Sequence, residues 1–270
     1  MDFLTVLGHV NVDSYDNGKR FIDTTRLDAI EDLFRKSKSP WRLEASGPLF
    51  RIYGREGAAR PVNPVVISSH ADSNFEHHSH RLIEDTNELI GTFDNSITNA
   101  VLVQILLEDR LPAEVLVAFT GDEENESRGA ADLVKHLEEQ GHGPKVVIVL
   151  DITDHTFYGS PFTVENWFPN GNCGLSQDEV GFRNFLVDAF DGPVPTVHHN
   201  EAMPDESWRY EEEGVHVFSL CIPTAPGNIN SKNDWMHDES GVRVKLNLIP
   251  DFGDAVVRIS KYLNETPSGI

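Results

Sequence analysis

The chain has 270 residues, 39% of them hydrophobic and 24% charged, with a formal net charge of −22. That length suffices for one large domain with a substantial core, and no apolar run approaches the roughly 20 residues of a bilayer crossing. So acidic a surface repels nucleic acid and anionic lipid, which excludes both as expected partners. Eight lysines stand against fourteen arginines, a balance compatible with a high-salt cytoplasm or with an acidic enzyme that chelates metal. The first residues lack the basic flank and cleavage-like site of a secretory signal. Cys173 and Cys221 stand at neither metal-finger nor disulfide-framework spacing. The expected location is therefore the cytoplasm.

In chain order, Asp23-Thr24-Thr25 reads as the cap of an amphipathic helix whose Leu27, Ile30, Leu33 and Phe34 recur at helical spacing. Residues 41–44 and 49–53, split by Ser46-Gly47-Pro48, read as paired strands, and Val65–Ser69 as a buried one. An apolar-rich helix over 95–110 stops near Pro112. Val115–Thr120 is a second buried strand, Ala130–Gln140 a helix ended by Gly141, and Val146–Leu150 a third strand. A helix over 180–190, a strand over 215–221 and a closing helix over 248–263 complete the pattern. This alternation predicts βαβ units, hence an α/β fold: a three-layer α/β/α sandwich around a mostly parallel, mixed central sheet. No repeat or long linker divides residues 1–270, so a single domain is expected.

Five points along the chain place a His or carboxylate where an apolar run gives way to polar residues. Open α/β sheets hold their ligands at such strand ends. The run Val65–Ser69 ends in His70, and Asp72 follows at strand period, so both side chains point the same way. His70 is a candidate metal ligand, with Asp72 able to accept from its other ring nitrogen; a turn that happens to contain both residues is the plainer reading. Asp94-Asn95 precedes an apolar helix, the pattern of an N-cap, though a carboxylate there can still offer oxygen to a cation. Val115–Thr120 runs into Gly121-Asp122-Glu123-Glu124. Adjacent carboxylates repel unless a cation or a shared proton relieves them. One metal-bound Glu beside a free Glu that takes a proton from water is a productive arrangement; an acidic loop before a helix is the alternative. Asp151 repeats the geometry after Val146–Leu150, and His237 lies late in Asn233-Asp234-Trp235-Met236-His237. Taken alone His237 reads as structural, and it counts only within the set. Imidazole and carboxylate donors suit zinc first, and manganese or cobalt as well.

The stretches ISSHADS (67–73), GTFDNSITNA (91–100), FTGDEENESRGA (119–130), VIVLDITD (147–154) and GVHVFSLCIPT followed by WMHDESGV (214–242) resemble the co-catalytic di-zinc exopeptidase superfamily of aminopeptidases, dipeptidases and deacylases. The resemblance implies two divalent ions, most simply zinc. It implies that Asp94 bridges them, that His70 and Asp151 complete one site, and that Glu124 and His237 complete the other. Glu123 would be general base and then general acid, Asp72 would orient His70, and the Asp94–Asn95 peptide would be cis. The implied reaction is hydrolysis of a peptide or small amide next to a chain end by a water activated between the metals, with aminopeptidase as the default activity. A free amino terminus needs a carboxylate, for which Glu126, Asp154 and Asp205 are candidates. A dipeptidase, carboxypeptidase or N-acyl amino acid deacylase needs a cation instead, for which Arg128, Arg209 and His199 are candidates.

Several features depart from that pattern. Only residues 71–93 separate His70 from Asp94, which leaves no room for an inserted lid or dimerisation domain, and monomer and homo-oligomer both stay open. Asn95 stands where some relatives have a second Asp, and Glu126 where a small residue is common. A single-zinc transferase resembling glutaminyl cyclase is a second reading, and a binding protein on a degenerate hydrolase fold a third, which the intact Glu123-Glu124 pair disfavours. The opening Val6–Asp13 resembles the first strand of ribokinase-like sugar kinases, but the sequence lacks their Gly-Ala-Gly-Asp anion hole. The run Glu76-His77-His78-Ser79-His80 lacks apolar framing and reads as a solvated rim of the site. His198-His199 has a similar standing, and His136 and His142 are expected to be exposed.

Overall fold

A computed structural model describes residues 1–13, 24–75, 77–154, 160–167, 177–192, 194–198, 204–227 and 240–266. In chain order these form α1 (Phe3–Val10), α2 (Thr25–Lys36), β1 (Trp41–Gly47), β2 (Phe50–Arg55), β3 (Val65–His70), β4 (His80–Ile83), β5 (Glu88–Gly91), α3 (Ser96–Leu107), β6 (Leu116–Thr120) and α4 (Arg128–Glu139). They continue with β7 (Val146–Thr153), β8 (Thr163–Trp167), α5 (Gln177–Ala189), β9 (Thr196–His198), α6 (Ser207–Glu212), β10 (Val217–Pro223), β11 (Ala225–Pro226), β12 (Val242–Lys245) and α7 (Ile249–Glu265).

The central sheet has the order β1-β2-β6-β3-β7-β10-β8-β9. Its middle strands β6, β3, β7 and β10 are mutually parallel, while β1, β2 and β8 pair antiparallel with their inner neighbours. The expected mixed, mostly parallel sheet is therefore present. Strands β3 and β7 are buried along their whole length, as parallel strands covered on both faces must be.

Alternate residues of the strands feed two cores. Val65 and Ile67 of β3, Val117 and Phe119 of β6, and Ile148 and Leu150 of β7 pack with α1, α2, α3, α5 and α7. Val66, Leu116, Ala118, Val147 and Val149 face the other way, onto Ala130, Leu133, Val134 and Leu137 of α4 and Tyr210 of α6. Period-two side chains and helices on both faces thus make the three layers. Helix α3 is buried all round except at Gln104 and Leu107, which is why it reads as apolar without a stripe.

Elements also appear where the sequence reading assigned none. Residues 3–10, to which the sequence reading gave no element, are a helix: Asp2 caps it by accepting from Thr5 N at 3.0 Å, and Val6, Leu7 and Val10 are buried. A short apolar run does not by itself separate strand from helix, and the cap decides it. Residues 71–93 hold the β4–β5 hairpin, part of a second sheet of order β11-β12-β5-β4. The hairpin escaped notice because β4 is an edge strand with mostly exposed side chains and no apolar alternation. Leu89, Val242 and Val244 of this small sheet join the larger core. No helix among the described residues is long and apolar enough to cross a membrane.

The loop after β6 is clamped by backbone proximity. Gly129 N donates to Gly121 O at 3.1 Å, and a Cβ at residue 129 would meet Gly121 O at 2.5 Å and Leu49 O at 2.6 Å. A Cβ at Gly143 would meet nothing within 4 Å. Gly129→Ala should lower unfolding stability by about 2 kcal/mol through overpacking against rigid backbone, whereas Gly143→Ala should leave the urea midpoint unchanged or raise it. Equal midpoints for the two variants would refute the clamp.

Candidate metal centre

The carboxyl ends of the parallel strands set the site. His70 ends β3 and pairs in register with Thr120 at the end of β6, while β3 and β7 pair as Ser68 with Val149. Two residues further along the same register, His70 comes beside Asp151. His70 Nε2 lies 3.1 Å from Asp94 Oδ1, 3.7 Å from Asp151 Oδ2 and 3.9 Å from Glu123 Oε2. Ligand atoms of His70, Asp94 and Asp151 fall within 4.8 Å of one another, as do those of His70, Glu123 and Glu124. His70 is common to both groups, where the resemblance gave the shared place to Asp94. His237, with Cys173 and His199, lies outside the described residues.

Neighbouring polar groups hold these segments. Asn99 Nδ2 donates to the His70 carbonyl at 2.6 Å, and Asn95 Nδ2 to the Leu150 carbonyl at 2.7 Å, so the start of α3 grips both β3 and β7. The Asp94–Asn95 peptide is cis. Asn95, not Asp94, is the residue at the N-cap of α3, which leaves the Asp94 carboxylate facing His70. Asp72 Oδ2 accepts from Glu124 N at 3.1 Å, tying the segment after β3 to the segment after β6. Its Oδ1 faces His70 Nδ1 at 3.6 Å, and neither atom has a hydrogen-bond partner among the described residues. That separation exceeds a hydrogen bond, yet it leaves Nε2 as the nitrogen directed at the carboxylates. The Glu124 carboxylate accepts from Asn74 N at 3.0 Å and from Asn74 Nδ2, which draws it towards the β3 loop rather than towards Asp94.

Arginines complete the frame. Buried Asp122 accepts from Arg128 Nε at 2.5 Å and Nη2 at 2.7 Å. Arg209 donates to Glu212 at 2.8 Å and to the Glu126 carbonyl at 3.1 Å. Arg26 of α2 is fully buried, with Nη1 3.3 Å from the Asp72 carbonyl and 3.4 Å from the Asp94 carbonyl, and Nη2 2.5 Å from His78 Nε2. Burial, then the Arg26 charge, push the His78 pKa down to about 3, so this ring is neutral and accepts from the guanidinium. The histidine run is thus no uniform rim: His77 is exposed, but the His78 side chain is enclosed. His136 and His142 are half-buried rather than exposed, one against the Phe50 ring and one 3.0 Å from the Pro61 carbonyl.

Electrostatics test whether a cation fits. Burial drives the Glu123 pKa well above the ordinary carboxylate value, with Glu124 and Asp151 adding to the rise against the opposing pull of His70. Burial likewise lifts Asp151 to about 7. Burial alone would lower His70, but Glu123 and Asp151 outweigh it and hold the imidazolium well above its usual range. Carboxyls crowded round one imidazole in this way hold protons that divalent cations would replace. The donors, imidazole nitrogen and carboxylate oxygen, fit zinc, manganese or cobalt.

Solved structures share this architecture. A TET aminopeptidase from a marine sediment archaeon of the Thaumarchaeota superposes with a TM-score of 0.67 at 11% identity, covering 97% of this chain and 96% of that one. The aminopeptidase PepT from Bacillus cereus gives 0.62 at 10% identity, covering 96% of each chain. PhTET1, solved with a dodecamer in the asymmetric unit, gives 0.66 at 10% identity over 96% of this chain and 99% of that one. The chain has the fold of these aminopeptidases. No family model and no curated protein matches the sequence.

On this aminopeptidase fold, two side chains near the centre escaped the sequence reading. Arg26 falls on the same helical stripe as Ile30 and Leu33, and a charge on an apolar stripe was the available signal. Glu206, fully buried at the start of α6, accepts from Ser68 Oγ at 2.5 Å and Thr120 Oγ1 at 2.6 Å, and so ties β3 to β6 beneath His70. No local pattern marks it among the acidic residues around it. Asp205 beside it is buried, accepting from Ser207 N at 2.9 Å and from Ser219 Oγ. Burial lifts the Glu206 pKa from 4.5 to about 7 against the hydrogen bonds of Ser68 and Thr120. Because the folded value lies above the unfolded one, the folded state binds the extra proton between those pH values, and stability falls as pH rises through that window. In chelator-treated protein, Glu206→Gln should therefore gain on wild type by on the order of 3 kcal/mol between pH 4 and pH 8. Parallel stability curves in urea would show that the acid carries no such penalty.

Proposed function

We propose that this protein is a metal-dependent aminopeptidase working with two divalent ions, most simply zinc. The observation that carries the reading is the pair of ligand groups meeting at His70, at the carboxyl edge of the sheet, on a fold shared with aminopeptidases. In this reading His70, Asp94 and Asp151 would hold one ion, and Glu124, which lies with His70 and Glu123 in the second group, would hold the other together with His237. Ions held there would supply Lewis acidity to a scissile carbonyl and to an attacking water.

The chain's own groups do the rest. Glu123 takes a proton from the water as its oxygen bonds to the carbonyl carbon, and returns it to the amine as the carbon–nitrogen bond breaks. Its carboxylate, half-buried and surrounded by like charges, is a stronger base than an exposed glutamate. Asp72, whose Oδ1 lies 3.6 Å from His70 Nδ1, would orient the ring with Nε2 inward. The substrate is a peptide or small amide with a free amino terminus. Supporting that choice, Arg128 and Arg209, the described candidates for a substrate carboxylate, are engaged with Asp122 and Glu212. The β4–β5 hairpin between His70 and Asp94 supports reading the chain as one catalytic domain.

Glu123→Gln should lower turnover of aminoacyl-anilides by about 10²- to 10⁴-fold while metal content per chain stays at the wild-type level. Asp94→Ala should lose both metal and activity. Wild-type protein that takes up no divalent metal, or a Glu123→Gln variant with full turnover, would overturn the proposal.

A further inference from the structure

Arg26 sits where an ordinary helix would bury an aliphatic residue. It shares the inward stripe of α2 with Leu27, Ile30, Leu33 and Phe34, and its side chain is wholly enclosed. Burying a guanidinium is costly unless its donors are placed on acceptors. Here one terminal nitrogen lies between the main-chain carbonyls of Asp72 and Asp94, at 3.3 and 3.4 Å. The other is 2.5 Å from His78 Nε2, and His78 is itself pinned by its backbone N–H to Asp13 Oδ1 at 2.7 Å.

Those two carbonyls belong to different segments. Asp72 follows β3 and faces His70, whereas Asp94 precedes α3 and lies 3.1 Å from the same ring. The intervening residues 77–92 leave the site, form the β4–β5 hairpin and return. The spacing of Asp72 and Asp94 is therefore not set by local chain geometry. A planar guanidinium with donors in fixed directions holds two acceptors and an imidazole at once, which an ammonium on a flexible stem does not.

We propose that Arg26 is a positioning residue that fixes the segments carrying Asp72 and Asp94 relative to each other, and so presets the ligand cluster before metal binds. The inference rests on the metal-dependent reading above. Arg26 touches no reacting atom; it acts through the main chain of the residues that do, and His78 acts through Arg26.

The test uses the full-length protein, stripped with chelator and titrated with Co2+ alone. Arg26→Lys keeps the charge but loses the planar fork. It should bind Co2+ about 10- to 100-fold more weakly than wild type, with shifted visible absorption bands, while its metal-free far-UV circular dichroism matches wild type. His78→Gln, which changes the acceptor of Nη2 and leaves Arg26 in place, should move the same two readouts in the same direction by less, and it carries the test should Arg26→Lys not fold. A purely structural arginine would lower the melting temperature and leave Co2+ affinity and spectrum at wild-type values, and that result overturns the inference while leaving the proposed function standing. Absence of Co2+ binding by wild type would instead overturn the functional reading and this inference with it.

Discussion

Carboxylates crowded around one buried imidazole are the constraint on which the site depends. Asp94, Glu123 and Asp151 each bring an oxygen within 4 Å of His70 Nε2, in a setting where burial raises the proton affinity of Glu123 and Asp151. Such an arrangement persists only if positive charge is supplied, as protons at low pH or as cations when the carboxylates ionise. Much of the surrounding structure can be understood as the means of holding like charges together. Asn95 and Asn99 grip the ends of β7 and β3, Asp72 spans two loops, and Arg26 joins the main-chain carbonyls of Asp72 and Asp94.

The sheet supplies precision that loops alone could not. Parallel pairing of β6, β3 and β7 brings three strand ends to one edge, and the register places His70 next to Thr120 and Asp151. The same parity that sends Val66 and Val149 onto α4 and α6 sends Ser68, His70 and Asp151 to that side as well. Beneath His70, Ser68 and Thr120 meet Glu206, so the strands are cross-linked by a buried carboxyl and not by apolar contact alone. A rigid scaffold with a polar underlayer is what a preset ligand geometry requires.

Legibility differed from residue to residue for physical reasons. Val65–Ser69, Val115–Thr120 and Val146–Leu150 announced themselves because strands buried on both faces must be apolar throughout. His70, Glu123 and Asp151 stood out because each interrupts such a run. The edge strand β4 carried no such mark, and α1 was decided by an aspartate cap rather than by its apolar residues. Asp94 read most simply as a helix cap, a role that passes to Asn95.

Periodicity and residue chemistry by themselves determined the layered α/β architecture, the strand ends that bear His70 and Asp151 and the class of donor atom offered to a cation. Those are properties of short segments, and solvent exclusion writes them into every few residues. Only the tertiary structure decided that Arg26 reaches the Asp72 and Asp94 carbonyls, that Glu206 closes the gap between Ser68 and Thr120, and that Asn74 holds Glu124. Each joins residues far apart in the chain, and such hydrogen bonds leave no period in the sequence because their partners are chosen by packing.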